Sequence, residues 1–203
     1  FVNLGFSPDA ETFMFAPYGI DSADSEPFAE LYAVDVAANE FESNGVKTSS
    51  YNVNLEPGMD GSGALFTLLG EHASLVERYD IDHLNPGRIV YLLVDGEEPK
   101  SHIEFRDFNT GNSYEIDLHQ TQRGSEESPR AKFHIELNVN YADGTERDLT
   151  VGRPDYFREG VSRYRISHVD LGPNEQSLVF VVQKETVEET GTVVRYMVET
   201  VHL

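Results

Sequence analysis

The residues with the clearest capacity for chemistry sit in two strand-like segments. They are "HIEFRDF" (102–108) and "SYEIDLH" (113–119), joined by Asn109-Thr110-Gly111-Asn112. Apolar and ionisable residues alternate in both, so a hairpin puts its oil on one face and its charge on the other. If the turn lies across Thr110-Gly111, Phe105 faces Ile116 and Ile103 faces Leu118. The polar face is then fixed: Arg106 opposite Glu115, Glu104 opposite Asp117, His102 opposite His119. Direct cross-strand partners are about 4.5–5.5 Å apart at Cβ, and a like-charge pair there is destabilising until something neutralises it. A divalent cation would do so, and two flanking imidazoles complete an N/O ligand set. The expected metal site is therefore His102, Glu104, Asp117 and His119, with His134 and Glu136 able to join from the next strand. The competing reading is a solvated charged face, or one neutralised by a nearby arginine.

Other chemistry is scarce. There is no Gly-x-Ser-x-Gly, no Gly-x-Gly-x-x-Gly, no Walker loop and no His-Glu-x-x-His. No catalytic residues are assigned. "DSADSE" (21–26) is acidic but lacks the spacing and glycine of a calcium loop, and reads as a solvated loop. Tyr156 and Phe157 in "GRPDYFREG", with Tyr164 and Arg165 beyond, would make either a sugar- or peptide-binding platform or lids on the core.

The elements that must carry these residues are mostly strands. "KFHIELNVNY" (132–141) alternates throughout, with Phe133, Ile135, Leu137, Val139 and Tyr141 on one side. A three-residue loop around Asp143-Gly144 would pair Val139 with Leu149 and Leu137 with Val151. "LYAVDVA" (31–37) and "RIVYLLVDG" (88–96) read as further strands, Asn39 to Ser50 as an edge strand, and "GSEESP" (124–129) as a charged loop. One segment has helical period instead. Over about 63–79, Leu65, Leu68, Leu69, His72, Leu75, Val76 and Tyr79 share a face that would pack on a sheet.

The chain also echoes itself. "NLGFSPDAETFMFAP" (3–17) matches "HVDLGPNEQSLVFVV" (168–182), with Phe6 on Leu171, Pro8 on Pro173, Asp9 on Asn174 and Phe13 on Leu178. Each copy reads as strand, turn, strand, loop and strand, with "ELYAVDV" and "VRYMVET" as the third strands. Proline presets φ for the turn and Asp or Asn bonds its own backbone. "FSPDAETFMFA" with "ELYAVDV" locally resembles the blade signature of TolB-like and WD40-like propellers, although Ala10 stands where glycine is usual. Over most of its length the chain resembles a family of bacterial predicted secreted proteins of unassigned function. "FVNLGFSPD", "FMFAPYGID", "ELYAVDVAANEF" and the helical segment carry that resemblance. It implies export to the periplasm or beyond and brings no catalytic residues with it.

Composition sets the remaining bounds. The 203 residues suffice for one domain with a proper core or two small ones. A net charge of −21 repels phosphate backbones and anionic lipid, so nucleic acid is not an expected partner. No apolar run approaches the roughly 20 residues that span a bilayer, so no membrane insertion is expected. An acidic surface with few lysines suits solubility, and would also suit a salty medium. The absence of cysteine excludes disulfides and thiolate metal sites. The chain opens on Phe1 with no methionine and no signal segment, which fits a trimmed chain or a removed signal peptide. The expected fold is mainly β, with ten to twelve strands in antiparallel sheets, sandwich-like or a partial propeller, and one amphipathic helix. A single β-rich domain (1–203) is expected, its terminal meanders in one sheet system. The expected function is an exported non-catalytic module contacting a protein or cell-envelope component. The alternative is a metal-dependent hydrolase built on the His/carboxylate hairpin. A divalent cation is the only cofactor these residues suggest.

Overall fold

A computed structural model describes residues 1–21, 23–188 and 191–203. Ser22 of the acidic "DSADSE" loop lies outside the described residues. By its internal contacts the chain forms two compact units. The first is Phe1–Gly87 with the short segments Gly172–Ser177 and His202; the second is Arg88–Leu171 with Leu178–Val201 and Leu203.

The first unit is a five-stranded antiparallel sheet and a helical segment. Its strands are β1 (Val2–Phe6), β2 (Thr12–Ala16), β3 (Tyr18–Ile20), β4 (Pro27–Asp35) and β5 (Glu40–Ser50). They run in the order β1-β2-β4-β3, with the edge strand β5 also on β4. One sheet face is lined by small and medium side chains, Met14, Ala16, Ala29, Leu31 and Ala33, which lets a helix come close. Ala64, Leu65, Leu68 and Leu75 fill that face. The apolar stripe is thus where its period places it, but the expected single helix is two: α1 (Ser62–Glu71) and α2 (Ala73–Arg78). His72 breaks it, at φ −120 and ψ 28, two residues after the poor helix former Gly70. The other sheet face carries an aromatic row in which Phe15 stacks on Phe1 at 5.4 Å and on Tyr32 at 4.9 Å.

The second unit has two sheets. One runs β10-β9-β8-β7 with β11 also on β9; the other runs β14-β13-β12-β6. Their strands are β6 (Arg88–Leu92), β7 (His102–Arg106), β8 (Ser113–Gly124), β9 (Pro129–Asn140), β10 (Glu146–Gly152), β11 (Arg158–Glu159), β12 (Val161–Leu171), β13 (Ser177–Glu188) and β14 (Gly191–His202). The core gathers Ile116, Phe133, Ile135 and Leu137 from the first sheet with Tyr164, Ile166, Phe180 and Val182 from the second. Fully burying one such side chain stabilises by roughly 1.5–3 kcal/mol, so the second unit has a substantial core of its own. The mainly β, antiparallel expectation holds. The described residues contain fourteen strands, more than the ten to twelve expected, because short strands such as β3 and β11 are too brief to show a period.

The two echoed hairpins share the hydrogen bonds that close their turns. Phe6 pairs with Phe13 and Leu171 with Leu178. Ser7 N–H donates to Thr12 O at 2.9 Å, and Gly172 N–H to Ser177 O at 2.7 Å. Asp9 Oδ1 accepts from Glu11 N–H, and Asn174 Oδ1 from Gln176 N–H. At matching turn positions, Ala10 and Glu175 both adopt left-handed backbone, with φ 58 and 56. The N-terminal meander lies in the sheet of the first unit, and the C-terminal one in the β14-β13-β12-β6 sheet of the second.

Candidate functional site

The polar face of the β10-β9-β8-β7 sheet holds the chemically interesting residues. Its back is the core of the second unit, and its front is open. Alternation assigns every residue to its expected face: Ile103, Tyr114, Ile116 and Leu118 are buried, while Glu104, Glu115 and His119 are exposed.

The cross-strand partners differ from the expectation by two residues. His102 faces Asp117, Glu104 faces Glu115, and Arg106 faces Ser113. The cause is the turn. Asp107 N–H donates to Asn112 O and Gly111 N–H to Asp107 O, so Gly111, at φ 79, is the last residue of the loop instead of its centre. Asp107 holds this loop shut: its carboxylate accepts from Asn109 N–H, Thr110 N–H and Thr110 Oγ1. It also takes both guanidinium nitrogens of Arg88, at 2.7 and 2.9 Å. That guanidinium holds the Asp107 carboxyl far below the usual carboxylate range.

The same correction applies one hairpin on. Leu149 pairs with Leu137 and Arg147 with Val139, again two residues from expectation. A three-residue loop is present, but it is Ala142-Asp143-Gly144, closed by Tyr141 N–H on Thr145 O. Gly144, at φ 86, is again last. Left-handed glycine at the end of the loop is the usual pattern for three-residue hairpins.

This register divides the four expected ligands. His102 Nδ1 lies 2.9 Å from Asp117 Oδ1 and its Nε2 3.5 Å from Glu104 Oε1. The hydrogen bond that the imidazole donates to the Asp117 carboxylate raises the His102 pKa above its ordinary value. His119 is not opposite His102. It pairs with His134 across β8 and β9, their rings stacked at 5.0 Å. Glu136 meets both, 3.2 Å from His119 Nε2 and 3.7 Å from His134 Nε2. Among the described residues two groups of potential ligand atoms result, His102 with Glu115 and Asp117, and His119 with His134 and Glu136. The shifted register places Glu115 opposite Glu104, not opposite Arg106.

Toward β10 the face is acidic. A hollow of about 500 Å³ is lined by Glu115, Asp117, Glu136, Glu146 and Asp148 with the amides of Asn138 and Asn140, and by no lysine or arginine. Asn138 Nδ2 donates to Glu146 Oε1 at 2.6 Å and to Asp148 Oδ1 at 2.8 Å. Amides rather than cations meet these carboxylates. Sequence reasoning missed Glu146 and Asp148, because only the pairing of β10 with β9 brings them to Asn138.

The opposite end of the face is basic. Arg123, Arg130 and Lys132 surround the Phe157 ring at 4.9, 5.7 and 5.3 Å. Of the aromatic platform considered from sequence, Tyr164 belongs to the core, 1% exposed, with its hydroxyl donating to Ala131 O. Arg165 pairs with Glu185. Tyr156 alone of that set is well exposed, beneath the Arg158 guanidinium.

Fold and face together define a mainly β protein with one sheet surface open to solvent and graded from acid through imidazole to base. Residues 14–202 match the model of a family described as "Predicted secreted protein (DUF2259)", and the chain belongs to that family. Its description agrees with the resemblance carried by the N-terminal segments and with a periplasmic or secreted location. No curated protein and no solved structure matches the chain.

Proposed function

We propose that this chain is an exported, non-catalytic binding module. It takes a basic segment of a partner protein or other cell-envelope component on the open polar face of the β10-β9-β8-β7 sheet. The observation that carries this reading is a pair of like-charge juxtapositions, Glu104 opposite Glu115 and Asp117 opposite Glu136. Each costs stability; the His102 imidazole between Asp117 and Glu104 offsets part of it, and no lysine or arginine lines the hollow beside them to offset the rest. A cationic ligand would.

Solvent exposure favours binding over the hydrolase alternative. The side chains of His102 and His119 are each 49% exposed and Glu136 60%. Hydrolysis at a metal-bound water draws on a dry, enclosed site.

The test is titration of a labelled lysine-rich peptide at low ionic strength against two variants of equal charge. Glu146→Gln/Asp148→Asn removes two carboxylates from the hollow. Glu126→Gln/Glu127→Gln removes two from the exposed 124–129 loop. At about 0.5 kcal/mol per exposed pair, the first should weaken binding roughly fivefold and the second by less than about twofold. Equal losses in both would reduce the interaction to net charge and overturn the proposal.

A further inference from the structure

We infer that His119, His134 and Glu136 form a binding site for a borderline transition-metal dication such as zinc. The inference builds on the polar face proposed above, shares only Glu136 with that reading and takes a different ligand.

Three observations carry it. First, the ligand atoms are already gathered. One atom from each of the three residues lies within 4.8 Å of the other two. Ligands 2.0–2.1 Å from a tetrahedral zinc are about 3.3 Å apart, close to the 3.2 and 3.7 Å from the Glu136 oxygens to the two Nε2 atoms. Second, the positions are held by backbone and not by flexible loops. His119 and His134 are direct partners in the longest ladder of the sheet, and Glu136 is two residues further along β9 on the same face. Third, β10 adds no side chain there. Its residue beside His134 is Gly152, and the space a side chain at that position would take is bordered by the Glu199 carboxylate.

Two neutral imidazoles and one carboxylate suit zinc, nickel or copper, whereas calcium and magnesium want oxygen alone. Three protein ligands leave a fourth position open to water or to a donor from a bound partner. The neighbouring group, His102 with Glu115 and Asp117, is the weaker candidate. His102 already shares Nδ1 with Asp117, and its raised affinity for a proton opposes a metal. His102 therefore serves as the internal control.

The experiment is calorimetric titration of the intact chain with zinc at neutral pH, read in parallel by the imidazole proton signals. Wild type should bind one zinc, and the ring signals of His119 and His134 should move before that of His102. Loss of an outer-shell partner alone weakens metal sites about 10–100-fold. His119→Ala/His134→Ala, which removes two ligands, should therefore cost more than about 100-fold. His102→Ala should change affinity less than about threefold. Circular dichroism confirms that these surface variants fold. The lysine-rich peptide should still bind His119→Ala/His134→Ala, whose acidic hollow is intact. Zinc should still bind Glu146→Gln/Asp148→Asn, so each idea can fail without the other. Zinc affinity unchanged in His119→Ala/His134→Ala, no zinc binding in wild type, or calcium binding as tightly as zinc would each overturn the assignment.

Discussion

Asp107 is the residue on which the geometry of the polar face turns, and Asp107→Asn is the most informative perturbation of the fold. The residue is 5% exposed, and its two oxygens accept five hydrogen bonds: two from Arg88, two from Thr110 and one from Asn109. Asparagine keeps one acceptor oxygen and turns an NH₂ toward groups that are all donors. Breaking a buried charge pair costs about 3–5 kcal/mol. The Arg88 side chain is 38% exposed and can turn to water, so the lower end applies, about 3 kcal/mol. For a chain of this size that is a fall in Tm of about 6–12 °C. Thermal and urea denaturation of Asp107→Asn, Arg88→Met and the double variant give the coupling, which should reach about 1.5 kcal/mol or more for groups in direct contact. A loss under about 1 kcal/mol, or additive single variants, would refute the argument that this pair locks the loop. The pH dependence has a definite sign. Asp107 is more acidic folded than unfolded, so its contribution is complete above the unfolded value of about 3.9. It disappears as pH falls through the lower folded value.

Further predictions concern the face, the core and the turns. Asp117→Asn should bring the raised His102 pKa back toward its ordinary value in an NMR titration. An unchanged midpoint would exclude Asp117 as its cause. Any stability that His102 adds is present below its unfolded pKa and fades as pH rises through the folded one. Tyr164→Phe should cost about 0.5–1.5 kcal/mol by loss of the bond to Ala131 O, and Tyr164→Ala about 3–5. A neutral Tyr164→Ala would return that ring to the surface. Glu175→Gly should stabilise by up to about 1 kcal/mol because Glu175 sits at φ 56, and a loss instead would contradict the left-handed turn.

The sequence was most legible where a local rule has only one solution. Period-two alternation assigned Phe133, Ile135, Leu137 and Val139 to the core face of β9 without error. The shared Pro-Asp/Asn turn announced two hairpins that match down to single hydrogen bonds. Register was less legible. A slip of two residues leaves every side chain on its own face, so alternation cannot detect it. Only the end-of-loop position of Gly111 and Gly144 decides between the alternatives. That slip separated His119 from His102, while the β8–β9 ladder independently sets it opposite His134. The helical stripe was visible, but the break at His72 was not, since Gly70 lowers helix propensity without marking a terminus. Glu146 and Asp148 entered the site through strand pairing, which a linear reading cannot rank.

Most directly at stake is whether ligands are held on the polar face of the β10-β9-β8-β7 sheet. Mapping backbone amide shifts while the lysine-rich peptide is added tests this on the intact chain. The account predicts changes centred on residues 115–119, 134–140 and 146–150. Changes centred instead on the hollow of about 520 Å³ in the first unit, around Tyr51, Val53, Leu55 and Met59, would contradict it.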